Sequence, residues 1–193
     1  MPQQRIPPMT GELGYSLPPA IRRIATNFRW VGWVGLWSQI VIGVISTLLF
    51  IVNALEPNTS LSNTSADLFQ ALGILFIFVS AFWGFRYVRL GQRLRKNNPD
   101  LRPKPKDAAQ AVRIGILISL VGMFLTIIGA EAMVATLWLR SLRQVATFGG
   151  ISQDSSAFIN AADIAVVFSV INTMFAHLIG LCVSFWLQYV IDR

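Results

Sequence analysis

The residues able to do chemistry in this chain are few, and most of them sit in apolar surroundings. The only histidine, His177, follows Asn172 and Thr173 by five and four residues, so all three fall within two turns if the segment is helical. A neutral imidazole needs a hydrogen-bond partner there and is a good transition-metal ligand, so His177 is the metal-ligand candidate. Its alternative is a structural histidine bonded to Thr173 or to a neighbouring helix. Asp163 precedes His177 by 14 residues, about 20 Å of helix, and either faces a polar path or complements a helix N-terminus. Gln39 lies at comparable depth in another apolar run and is a candidate partner for His177. Glu131 interrupts a third run about 26 Å along it, near an interface, where a carboxylate costs little. Met123, Met133, Met174 and Cys182 are soft ligands that equally serve as apolar filler.

Other chemistries lack their residues. One Cys and one His exclude a disulfide framework and a Cys/His zinc cluster built by a single chain. There is no nucleotide-binding loop, no His-Glu-x-x-His motif, and no Ser-His-Asp set away from the apolar runs. No enzyme is expected, no permanently bound cofactor, and no nucleic-acid partner.

The elements that must position these side chains follow from composition. Of 193 residues, 54% are apolar and 13% charged, about half the charged share of a soluble domain. The mean hydropathy is +0.57. A bilayer core needs about 20 apolar helical residues. Four runs meet that requirement, at about 30–55, 68–85, 114–136 and 164–190, and none alternates as a barrel strand does. The fold class is therefore all-α, a polytopic membrane protein with four transmembrane helices in one domain. Residues 1–29 form a basic head, and residues 86–113 a basic inner loop. Within the head, Ile21, Ile24 and Phe28 follow Pro18 and Pro19 with helical spacing. They form either a short interfacial helix or an irregular lead-in.

Charge sets the orientation. Fourteen of the sixteen Lys and Arg residues flank one side, including Arg5, Arg22, Arg23, Arg29 and Arg193; only Arg140 and Arg143 fall on the other. The positive-inside rule puts both termini in the cytoplasm. Trp30, Trp33, Trp37, Trp83, Trp186 and Tyr189 mark the inner interface, and Trp138 the outer. The first run is too long and begins too late for a cleaved signal peptide, so no leader is expected to be removed.

In lipid, small residues that permit close approach mark helix contacts. Gly115, Ser119, Gly122, Thr126 and Gly129 form one such face in the third run. Ser169, Thr173, Ala176 and Gly180 repeat it in the fourth, and Gly73, Ser80, Gly84 and Gly91 follow in the second. The partner is either another helix of the chain or a second copy, and oligomerisation through these seams is expected. Arg86, Arg89, Arg93, Arg95 and Lys96 extend the second run with a basic face. It serves as the orientation signal or binds anionic lipid headgroups. A turn is expected at Asn97-Asn98-Pro99. The Asn-Thr-Ser triplets at Asn58 and Asn63 match glycosylation acceptors in a polar outer loop whose modification is not expected.

Two stretches carry a resemblance. Phe78-Val79-Ser80-Ala81-Phe82-Trp83-Gly84-Phe85, with Tyr87-Val88-Arg89-Leu90 and Gln92-Arg93-Leu94-Arg95, ends the second run. Asn172-Thr173-Met174 and His177-Leu178-Ile179-Gly180-Leu181 lie in the fourth. Both resemble the Permease In Chloroplasts family of chloroplast inner-envelope proteins and its cyanobacterial relatives, and the likeness runs from about Arg22 to Leu187. Asp163, Asn172, Thr173 and His177 fall on matching positions; Glu131 does not. The resemblance implies an iron permease, iron being cargo, or a non-catalytic subunit of a protein-import or assembly complex. It also implies a cyanobacterial cytoplasmic or thylakoid membrane, or a plastid inner envelope with stromal termini. A scaffold for lipids or photosynthetic complexes is the third reading.

Overall fold

The computed structural model describes residues 18–55, 64–96, 103–147 and 161–193. Arg5 and the rest of residues 1–17, Asn58, Asn63, the Asn97-Asn98-Pro99 turn, Arg102 and Asn160 lie outside them. Four helices account for the described chain: α1 Pro19–Leu55, α2 Thr64–Leu94, α3 Pro105–Thr147 and α4 Ala161–Asp192. Each is long and apolar enough to cross a membrane. This is an integral membrane protein.

The helices begin where the chain chemistry allows. Pro19 and Pro105 each open a helix, where a missing N–H costs nothing and the fixed φ suits the first turn. At α3, the Asp107 carboxylate accepts the Lys104 backbone N–H at 3.2 Å, one half of a capping box. The chain before Trp30 is neither a separate interfacial helix nor an irregular lead-in, the two sequence alternatives, because α1 runs unbroken from Pro19. Ala25 and Phe28 are fully buried, and a Cβ on Gly91 of α2 would lie 2.8 Å from the Ala25 carbonyl oxygen. That contact carries the helix outward past the apolar run. For the same reason α2 reaches Leu94, leaving a much shorter connection than residues 86–113.

Consecutive helices are antiparallel. α1 packs on α2 and α4, α3 packs on the same two, and α2 also touches α4 across the middle. An even number of passes returns residue 18 and Arg193 to one end, alongside Arg22, Arg23, Arg86, Arg89 and Arg93.

The bundle is inverted relative to a soluble one. Its outer surface carries Trp30, Val34, Leu48, Phe82, Leu117, Phe124 and Phe168, all well exposed. Its interior holds Gln39, Ser46, Gln70, Ser80, Ser119, Thr126, Ser169, Thr173, His177 and Ser184, all buried. Lipid is as apolar as leucine, so burying leucine gains nothing there, whereas a hydrogen bond or a close backbone contact does. The small residues act inside the chain. A Cβ on Gly122 would meet the His177 ring, one on Gly180 the Gln39 amide and Ser119, and one on Gly115 the Tyr87 hydroxyl. The seam expected to join copies of the protein is thus occupied by the chain's own helices.

Candidate functional site

The polar side chains gather in two adjoining layers at mid-height. In the first, the Gln39 amide of α1 donates to Ser80 Oγ of α2 at 2.8 Å and to the Ala176 carbonyl of α4 at 3.3 Å. Ser80 in turn shares a 3.1 Å hydrogen bond with Ser119 of α3. One amide and two hydroxyls therefore tie all four helices together. Only a glycine at 180 leaves room for the Gln39 amide and both serines.

In the second layer, the Gln70 amide of α2 donates to Ser169 Oγ at 3.3 Å and Thr173 Oγ1 at 3.2 Å, both on α4. The Ser169 hydroxyl donates to the Ser46 carbonyl of α1 at 2.7 Å, and the Thr173 hydroxyl donates back to the Ser169 carbonyl at 2.8 Å. Gly73 lies against the Thr126 hydroxyl, which bonds the Gly122 carbonyl of its own helix.

His177 stands beside these layers, fully buried. Its Nε2 lies 3.1 Å from the Gly73 carbonyl oxygen, which can only accept, so Nε2 carries the proton. Nδ1 then presents a bare lone pair, and it has no hydrogen-bond partner among the described residues. Gln39 is not the histidine's partner, contrary to the sequence expectation; its amide goes to Ser80 and Ala176 instead. Between Gln39, Ser80, Gly115, Gly180 and Tyr87 lies a cavity of about 10 Å³. That is the scale of a single water.

The sequence candidates thus divide. His177, Thr173 and Gln39 come together in the core. Asn172 lies half-buried beside it, its amide donating to the Phe168 carbonyl on the preceding turn of its own helix at 3.0 Å. Glu131 is exposed on the outer face of α3. Asp163 is buried far from His177, and its Oδ1 lies 3.5 Å from Arg140 Nη1 at the end opposite the basic one. An unpaired charge there would be expensive, so each residue neutralises the other where α3 and α4 meet. Arg140 was legible only as a charge on a flank; its partner is set by how the helices dock. Gln70, Ser80 and Ser46 were missed as a set. Gln70 carried the one available signal, an uncharged amide inside an apolar run. Among the described residues, no group of three or more His, Cys, Asp or Glu could hold a metal ion.

This arrangement can now be set beside known proteins. The sequence model of a family described as "Protein of unknown function (DUF3611)" matches residues 18–192. The chain belongs to the DUF3611 family. "Protein TIC 21, chloroplastic" of Arabidopsis thaliana is 31% identical over 170 residues, 85% of this chain and 56% of that protein. The chain therefore spans about half the length of the curated relative it matches. These matches bear out the resemblance to the Permease In Chloroplasts family seen in α2 and α4. No solved structure matches.

Proposed function

We propose that this protein acts in transport at a cyanobacterial or plastid membrane, as a non-enzymatic helical subunit of a larger import or assembly complex. The relationship to a protein named TIC 21, chloroplastic, supports a membrane transport or import role. The observation that carries the subunit reading is the filled polar layer. Its amides and hydroxyls bond from helix to helix, and the cavity beside Gln39 and Ser80 is about 10 Å³. Such an interior holds a scaffold together and leaves the outer faces for partners. With the small-residue seams taken up inside the chain, a homo-oligomer or hetero-complex assembles through those outer apolar faces. The charge count supports a basic end directed to the cytoplasm or stroma.

One observation favours a second reading, an iron permease. His177 donates Nε2–H to a backbone carbonyl and keeps Nδ1 bare, the pattern by which a protein orients a metal-ligating imidazole. On that reading iron is cargo, and the helices must part to admit it.

Ferrous-iron flux into proteoliposomes holding only this protein tests the two. The subunit reading predicts flux no greater than in empty liposomes from folded, inserted protein. It also predicts crosslinking to partner proteins in the native membrane. Saturable flux that is lost in His177→Ala would overturn it in favour of the permease.

A further inference from the structure

The basic end of α2 carries a feature that neither reading uses. Phe82, Arg86, Arg89 and Arg93 fall at i, i+4, i+7 and i+11, which places them along one face of the helix. They line an open groove of about 550 Å³, with Phe85 beside them and Asp107 of α3 at its rim. The groove runs from apolar to cationic. Phe82, at the end nearer mid-bundle, is 68% exposed, while the arginines occupy the following two to three turns.

Two of the three guanidiniums are held against aromatic rings. Arg86 lies over the Trp83 ring and Arg89 over the Phe85 ring, each with Cζ 4.6 Å from the ring centroid. Stacking fixes the plane of a guanidinium while its edge N–H groups stay available to an anion. The groove also sits at the level of Trp30, Trp33 and Trp186, the aromatic residues that mark a membrane interface. Asp107, the one acid among the described residues lining the groove, accepts the Lys104 N–H at the start of its own helix.

We propose that this groove is a binding site for one anionic phospholipid. The phosphate diester is received by Arg86, Arg89 and Arg93, and the upper part of an acyl chain lies against Phe82 and Phe85. A free phosphate would use the arginines but leave the aromatic wall without a purpose. A zwitterionic lipid would bring a choline cation into a triply cationic groove. The site ties one lipid class to a fixed place on the bundle, beyond the general attraction of a basic loop for a charged surface.

Native mass spectrometry of the full chain, released from detergent with equal phosphatidylglycerol and phosphatidylcholine, tests this. A preference for phosphatidylglycerol of about tenfold or more is expected, as three interfacial arginines allow. It should vanish in R86Q/R89Q/R93Q and persist in R22Q/R23Q/R193Q, which removes equal charge from the same end. Phe82→Asp leaves every arginine in place on an exposed position, and it should also abolish the preference. Excess inorganic phosphate should leave the lipid adducts intact. Any of five results would overturn the proposal: no preference in the unaltered chain, its persistence in R86Q/R89Q/R93Q, equal loss in the control triple variant, no effect of Phe82→Asp, or displacement by inorganic phosphate.

Discussion

The middle of the bundle and its basic end hold together by different physics. At mid-height the helices meet through Gln39, Gln70, Ser80, Ser119, Ser169, Thr173 and His177, with glycines where the backbones press closest. At the basic end they meet through Phe28, Tyr87, Ala108, Ala111, Val112 and Leu187, an apolar cluster such as a soluble protein would use. Water explains the difference. The end is close to solvent, so burying Phe28 removes apolar surface from water. The middle is wrapped in lipid, where only hydrogen bonds and close contact distinguish a neighbouring helix from an acyl chain.

That comparison can be broken or sharpened by substitution. The largest effect should come from Phe28→Ala. Phe28 is fully buried and meets Tyr87 edge-on at 6.2 Å, so its loss should cost about 3–5 kcal/mol in a detergent unfolding titration. A cost below about 1 kcal/mol would show that the end is not apolar-driven. Next comes Gly122→Val, which drives a side chain into the His177 ring and towards Phe76 Cβ at 2.8 Å. Overpacking of this kind should destabilise by about 1–3 kcal/mol, read as a lowered Tm.

Gln70→Leu is the sharper test, because it keeps the volume and removes two hydrogen bonds to α4. Such bonds in membranes contribute about 0.6 kcal/mol on average and at most about 1.7, so a loss near 1 kcal/mol is expected. A more stable variant would mean that the polar layer serves function at the expense of stability. The smallest effect belongs to Asn172→Ala. Among the described residues its amide bonds only the preceding turn of its own helix, and the change should stay within about 0.5 kcal/mol. A large loss of transport with unchanged stability would instead bring Asn172 back as a path residue.

Much of this was legible in the sequence, and the remainder was hidden for a physical reason. Run length and charge gave four helices. The spacing of Gly115, Ser119, Gly122, Thr126 and Gly129 gave a contact face, because small residues at helical spacing have few other uses in lipid. Composition does not say which helix fills that face, so an oligomer seam was expected where α2 and α4 pack. The continuation of α2 past Arg86 was expected, but the starts of α1 and α3 were read too late. Hydropathy follows lipid, whereas α1 and α2 continue past it on the contact of Ala25 and Phe28 with Gly91. The pairing of Arg140 with Asp163, and of Gln70 with Ser169 and Thr173, joins residues far apart in the chain. No local pattern carries such partners. Glu131, by contrast, is exposed, as a carboxylate near an interface is expected to be.

The central claim is that the polar interior fastens helices and is closed to bulk water. Its most direct test is cysteine accessibility at Ser119, in a chain whose exposed Cys182 is replaced by Ser. Ser119→Cys is nearly isosteric and sits in the buried network with Ser80 and Gln39. In proteoliposomes, a membrane-impermeant methanethiosulfonate should leave it unmodified while labelling Arg93→Cys at the exposed basic end. Rapid labelling of Ser119→Cys, slowed by ferrous iron, would contradict the account and turn the same residues into the lining of a transport path.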